Sequence, residues 1–66
     1  MGKFVENAYY IVEIEFQTGR YQQKVRQFKN VEQLENVGRM LTKKGKRRVR
    51  IYQQNSRKNY WTFGRC

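Results

Sequence analysis

Six of the eight residues from Lys43 to Arg50 are lysine or arginine, and Ile51 and Tyr52 follow directly. A guanidinium group grips phosphate through a two-pronged fork and also stacks on flat rings, while an exposed tyrosine stacks on an unpaired base. Cations interleaved with aromatic residues are therefore a chemistry for nucleic acid. The candidate phosphate contacts are Lys43, Lys44, Lys46, Arg47, Arg48 and Arg50, and the candidate stacking rings are Tyr52 and Tyr60. Arg26, Arg57 and Lys58 are further candidate contacts.

Other chemistries find less material. The chain has no histidine and 5 acidic residues, all glutamate. General acid–base catalysis draws on histidine or on paired, tuned carboxylates. Cys66, the only thiol, needs a base and an oxyanion site beside it to act as a nucleophile, and it is the last residue. One thiol without histidine forms neither a disulfide within the chain nor a zinc site. Gly19, Gly38 and Gly45 are too dispersed for a phosphate-cradling loop. The sequence thus predicts a binding protein, not an enzyme, with no metal and no cofactor.

The totals agree with a polyanion partner. Lysine and arginine number 15, and the net charge is +10 over 66 residues. Such a charge attracts polyanions over roughly 8–10 Å and opposes compaction by self-repulsion. Ten aromatic residues (four Phe, five Tyr, one Trp) set the chain apart from disordered basic tails. A domain this small buries only about 60% of its unfolded surface, so a second subunit would help it. No apolar run approaches the ~18 residues that span a membrane, and the N-terminus lacks a signal-peptide core. The expected compartment is intracellular, with nuclear entry where the host has a nucleus. Residues 43–50 would pass for a nuclear localisation signal, as would any basic strand.

The elements that must carry these residues follow from periodicity. Residues 1–7 read as a short lead-in to one domain over 8–66. Tyr10, Val12, Ile14 and Phe16 alternate with Tyr9, Ile11, Glu13 and Glu15, the pattern of a strand with one buried face. Gln17 to Arg20 reads as a hairpin turn with Gly19 supplying a positive φ, and a second strand runs from Tyr21 to Phe28. A two-residue loop at Thr18-Gly19 would pair Phe16 with Tyr21, Val12 with Val25 and Glu13 with Lys24. Asn30 is a helix N-cap with Gln33 completing a capping box, and Val31, Leu34, Val37 and Leu41 form one apolar stripe. Gly45 stops the helix in the left-handed region. Gly38, inside it, costs ~1 kcal/mol relative to alanine, which close approach of helix to sheet would explain. Lys46–Gln54 returns to alternation. A polar turn over 55–59 and a strand at 60–63 follow, with Gln54 opposite Tyr60 and Trp61 in the core.

The expected fold is α+β: ββαββ order, a four-stranded, mainly antiparallel sheet, and one helix on one face. The basic run is then a helix end, a glycine stop and a strand. The face away from the helix is expected to collect Tyr9, Ile11, Arg26, Phe28, Arg48, Arg50, Tyr52 and Tyr60 around a Glu13–Lys24 pair. A rim of Lys43, Lys44, Lys46 and Arg47 with Arg57 and Lys58 in the last turn could instead straddle a duplex backbone. The leading expectation is a small DNA- or RNA-binding protein. The alternative is a protein-interaction module or inhibitor, of a kind that suits a viral or mobile-element product, docking on an acidic protein surface. A homodimer that joins two sheet faces is compatible with both.

Overall fold

The computed structural model describes residues 3–64 and, of residues 57–59, the backbone alone. Five elements follow in order: β1 (Tyr10–Glu15), β2 (Tyr21–Arg26), α1 (Val31–Lys43), β3 (Arg48–Gln53) and β4 (Ser56–Gly64). They form one sheet of order β2-β1-β3-β4 in which all three pairings are antiparallel. The helix lies over β3 and β4. No described helix is long and apolar enough to cross a membrane.

The core forms where the alternation of β1 and β3 meets the apolar stripe of α1. Tyr10, Val12 and Ile14 from β1, Val49 and Ile51 from β3, Trp61 from β4 and Leu34 from α1 are buried together with Phe28. Asn30 caps the helix as its side chain predicts: Asn30 Oδ1 accepts from the Gln33 N–H at 2.9 Å. Gln33 reaches back to the N–H of Lys29 (2.7 Å), one residue beyond the usual capping-box partner. At the other end Gly45 takes φ 98°, and the N–H groups of Gly45 and Lys46 bond to the carbonyls of Thr42 and Leu41. This Schellman arrangement satisfies helix-end carbonyls and turns the chain towards β3.

Gly38 has the reason its position suggests. A Cβ there would overlap the ring of Phe63 on β4, so the bare backbone is what lets helix and sheet meet. Alanine at 38 gains ~1 kcal/mol of helix propensity. Overlap with three atoms of the ring puts the overpacking cost at the upper end of its range, about 2–3 kcal/mol, and Gly38→Ala is expected to destabilise the chain by about 1–2 kcal/mol net. A thermal melt checks this; an unchanged or raised midpoint would mean that Phe63 moves aside freely.

Two registers differ from those read in the sequence. The β1–β2 hairpin closes through three residues, Gln17, Thr18 and Gly19, with the Gly19 N–H bonded to the Phe16 carbonyl and the Phe16 N–H to that of Arg20. Ile11 therefore faces Val25, Val12 faces Lys24 and Glu13 faces Gln23. The expected pairs Phe16–Tyr21, Val12–Val25 and Glu13–Lys24 do not form. A two-residue loop of the favoured type needs positive φ at both central residues, which β-branched Thr18 resists. The three-residue loop asks it of Gly19 alone, at φ 89°. A slip of one residue exchanges the faces of a whole strand. Arg26 and Phe28, expected on the open face, belong to the helix side, where Phe28 is buried and the Arg26 guanidinium lies 4.8 Å over its ring.

The second difference is at β3–β4. The turn shortens to Gln54-Asn55, and β4 starts at Ser56, inside the expected polar turn. An irregularity between Tyr52 and Gln53 absorbs the mismatch, and Tyr52 comes to face Tyr60 while Ile51 faces Trp61. This register is shifted by two residues from the expected one. An even shift keeps each side chain on its face, so Trp61 is in the core as expected.

Candidate nucleic-acid interface

The open face is built by three registers that line up across the sheet. Glu13 on β1 lies between Gln23 on β2 and Arg50 on β3, and Glu15 lies between Tyr21 and Arg48. These alignments make ion pairs. Arg50 Nη1 is 3.5 Å from Glu13 Oε1, and Arg48 Nη1 is 3.4 Å from Glu15 Oε1. Arg47 reaches the other oxygen of Glu15 at 3.6 Å. Gln23 donates from Nε2 to Glu13 Oε2 at 3.0 Å, which holds that carboxylate from the β2 side. Glu15 is itself buried, so the arginines offset the cost of placing its charge there.

Half of the basic run thus has carboxylate partners within the chain, two glutamates against three arginines. Arg47, Arg48 and Arg50 each face a carboxylate, which removes most of the like-charge repulsion expected in an ordered 43–50 segment. Tyr52 and Tyr60 share this face, directly opposed across β3 and β4. Tyr60 is exposed and Tyr52 half-buried.

The other half of the run lies at one end of the molecule. Lys43 closes α1, Lys44 is its C-cap, and Lys46 leads into β3 with its amine 4.6 Å over the Phe16 ring. The β1–β2 loop meets them there: Gln17 donates from Nε2 to the Gly45 carbonyl at 2.9 Å. Arg20, which follows that loop, joins Lys46 around a shallow groove of about 420 Å³ lined by Phe16. Among the described residues, none of Lys43, Lys44, Lys46 and Arg20 pairs with a carboxylate. Arg20 was not a candidate by sequence, since nothing local shows that the hairpin loop folds against the helix end.

The structure therefore brings Lys43, Lys44, Lys46 and Arg47 together at this end, with Arg48 at its border. It separates them from Arg50, Tyr52 and Tyr60, which lie further along the open face, and from Arg26 on the opposite side. The side chains of Arg57 and Lys58, and all of Cys66, lie outside the described residues. On the helix side a groove of about 240 Å³ opens between α1 and the β1–β2 pair. Val37, Met40 and Leu41 form its apolar wall, and Lys24, Arg26 and Lys44 its rim.

No group of three or more His, Cys, Asp or Glu gathers among the described residues. Comparison of the chain with protein families, with curated proteins and with solved structures finds no match.

Proposed function

We propose that this chain binds nucleic acid by its backbone, with Lys43, Lys44, Lys46, Arg47 and Arg20 as the phosphate contacts. One observation carries the proposal. Once the internal ion pairs are counted, four cations without a carboxylate among the described residues, Lys43, Lys44, Lys46 and Arg20, converge where the hairpin loop, the helix end and the start of β3 meet. Arg47, which shares Glu15 with Arg48, lies beside them. Lysines at a helix C-terminus have a structural use, since they complement the negative end of the helix dipole. That use accounts for Lys43 and Lys44 but not for Lys46, Arg47 or Arg20, which come from other segments. Phosphate contacts position a ligand without reading its sequence, so the expected binding tolerates sequence. Arg48 and Arg50 contribute less than their charge suggests, because a phosphate must compete with Glu15 and Glu13 for them. Tyr52 and Tyr60 lie apart from this basic end, and stacking of unpaired bases on them is open only to a single copy of the chain.

The test is a fluorescence-anisotropy titration against single-stranded and duplex DNA and RNA over a range of salt. The log–log slope is expected to be about −0.7 to −0.9 for each phosphate contact, and so about −3.5 to −4.5 for five. Binding that ignores salt, or none of the four ligands binding at low salt, would overturn the proposal. A second reading, docking of an acidic protein segment, is favoured by the helix-side groove, whose apolar wall and cationic rim suit carboxylates flanking an apolar side chain. It becomes the leading one if all four nucleic acids fail to bind.

A further inference from the structure

We infer that the open face of the sheet is a self-association surface, on which two copies of this chain stack face to face about a two-fold axis parallel to the strands. The registers give the face three rows. Val25, Ile11, Tyr52 and Tyr60 form an apolar row across all four strands. Beside it run Glu13 with Arg50, and then Glu15 with Arg48. The carboxylates of both charged rows stand on β1 and their arginines on β3, the two central strands.

A two-fold axis along the strands, passing between β1 and β3, lays β1 of one copy over β3 of the other at the same height. Glu13 then lies opposite Arg50 of the second copy, and the buried Glu15, beneath its own arginines, lies at the height of Arg48 of the second copy. The apolar row falls on itself reversed, Val25 against Tyr60 and Ile11 against Tyr52. An axis across the strands would instead set carboxylate over carboxylate, so the charge pattern selects one of the two ways to stack the sheets. The roughly 30° between aligned packed sheets disturbs the central strands least, and these hold the charges.

Charge also says where on this chain a second copy can approach. Two molecules of net charge +10 repel over most of their surface. On this face the charges of Arg48 and Arg50 are offset by Glu15 and Glu13, and among the described residues only Arg47 at its edge is left in excess. Yet the face leaves Val25 56%, Tyr60 51% and Tyr21 58% exposed. Tyrosine is enriched at protein interfaces, where its ring is buried and its hydroxyl finds a polar partner. Closing a second sheet over these residues about 10 Å away would supply the apolar layer that a chain of this size otherwise lacks. Because the axis runs along the strands, both basic ends would lie side by side at one end of the pair.

The experiment is sedimentation velocity on the full chain, freed of nucleic acid, from about 1 μM to about 1 mM and at low and high salt. A dimer is expected that tightens as salt screens the repulsion between the two copies, the reverse of the salt effect on nucleic-acid binding. Val25→Lys is expected to weaken it about tenfold or more by burying an unpaired amine. Met40→Lys is the control: it adds the same charge at a residue of equal exposure, 55%, on the opposite side of the sheet. It should leave the dimer within about twofold, as a remote single charge does in screened solution. Circular dichroism verifies that both variants fold. A monomer at every concentration and salt would overturn the inference, as would a dimer that both lysines weaken equally or that Val25→Lys leaves intact.

Discussion

Replacing Lys43, Lys44 and Lys46 together by alanine is expected to flatten the salt dependence of nucleic-acid binding by about 2.1–2.7 log units per log unit of salt, the share of three phosphate contacts. The change has a consequence that can be read without fitting a slope. Between about 50 and 200 mM salt the affinity ratio of wild type to variant should shrink by roughly 20–40-fold, because that slope difference acts over a fourfold change in salt. Alanine is a strong helix former, so the end of α1 survives the substitutions at 43 and 44. A second triple variant, Lys24→Ala/Arg26→Ala/Lys29→Ala, separates local contact from total charge. It also lowers the net charge from +10 to +7, but it removes cations from β2 and from the approach to α1. Contact at the basic end requires that this second variant keep most of the wild-type slope. Equal flattening in both would mean that only the overall charge matters, and a larger effect in the second would move the ligand to the helix-side groove.

The ease with which each feature could be read from the sequence follows the distance over which it is determined. The alternation around Tyr10, Val12 and Ile14 and the Asn30–Gln33 cap are set by neighbours, and they appear in the structure where the sequence puts them. Gly38 is an intermediate case: its cost inside a helix signals a close approach, but not that Phe63 makes it. The hairpin register turned on one residue. Thr18 resists the positive φ of a two-residue loop, yet the cross-strand pairs of that loop look better on paper, with Val12 beside Val25 and Glu13 beside Lys24. Backbone strain outweighs pair preferences worth 0.2–1 kcal/mol each, and Arg26 changes sides as a result.

The site was legible as composition but not as arrangement. Six cations within residues 43–50 are plain in the sequence, and so is their division by Gly45. That Arg47, Arg48 and Arg50 meet Glu13 and Glu15 depends on β1 and β3 being neighbours, a contact across more than thirty residues that no local pattern encodes. The same adjacency decides which cations are left for a ligand. It also gives the open face its self-complementary rows. A net charge of +10 therefore describes this chain poorly as a uniform property: one face is close to neutral, and the excess lies at one end and around the helix side.

Tyr10→Ala is expected to be the most destabilising single truncation in the chain, by about 3–5 kcal/mol, the cost of deleting a large buried aromatic ring. Tyr10 is fully buried at the centre of an aromatic cluster. Phe4 stacks on it with ring centres 5.7 Å apart, and Phe28 and Trp61 meet it edge-on at 5.8 and 6.1 Å. Its hydroxyl accepts a 2.8 Å hydrogen bond from the N–H of Val5. Phe4 and Val5, read from the sequence as part of a lead-in, are thus tied to the core, Phe4 by stacking on the Tyr10 ring and Val5 by its hydrogen bond to the Tyr10 hydroxyl. At 0.05–0.15 kcal/mol per residue the whole chain holds only about 3–10 kcal/mol, so this one truncation removes from about a third to all of its stability. Tyr10→Phe keeps all three ring contacts and removes the hydroxyl alone. It should cost about 0.5–1.5 kcal/mol, because the N–H it abandons belongs to an exposed residue and can turn to water. Thermal melts should place the phenylalanine variant roughly 2–12 °C below wild type, at 4–8 °C per kcal/mol for a domain of this size. Amide hydrogen exchange at Val5 should quicken in that variant while the amides of β1 and β3 stay protected. An alanine variant that melts as the phenylalanine variant does would show that the hydroxyl, not the ring, anchors the cluster.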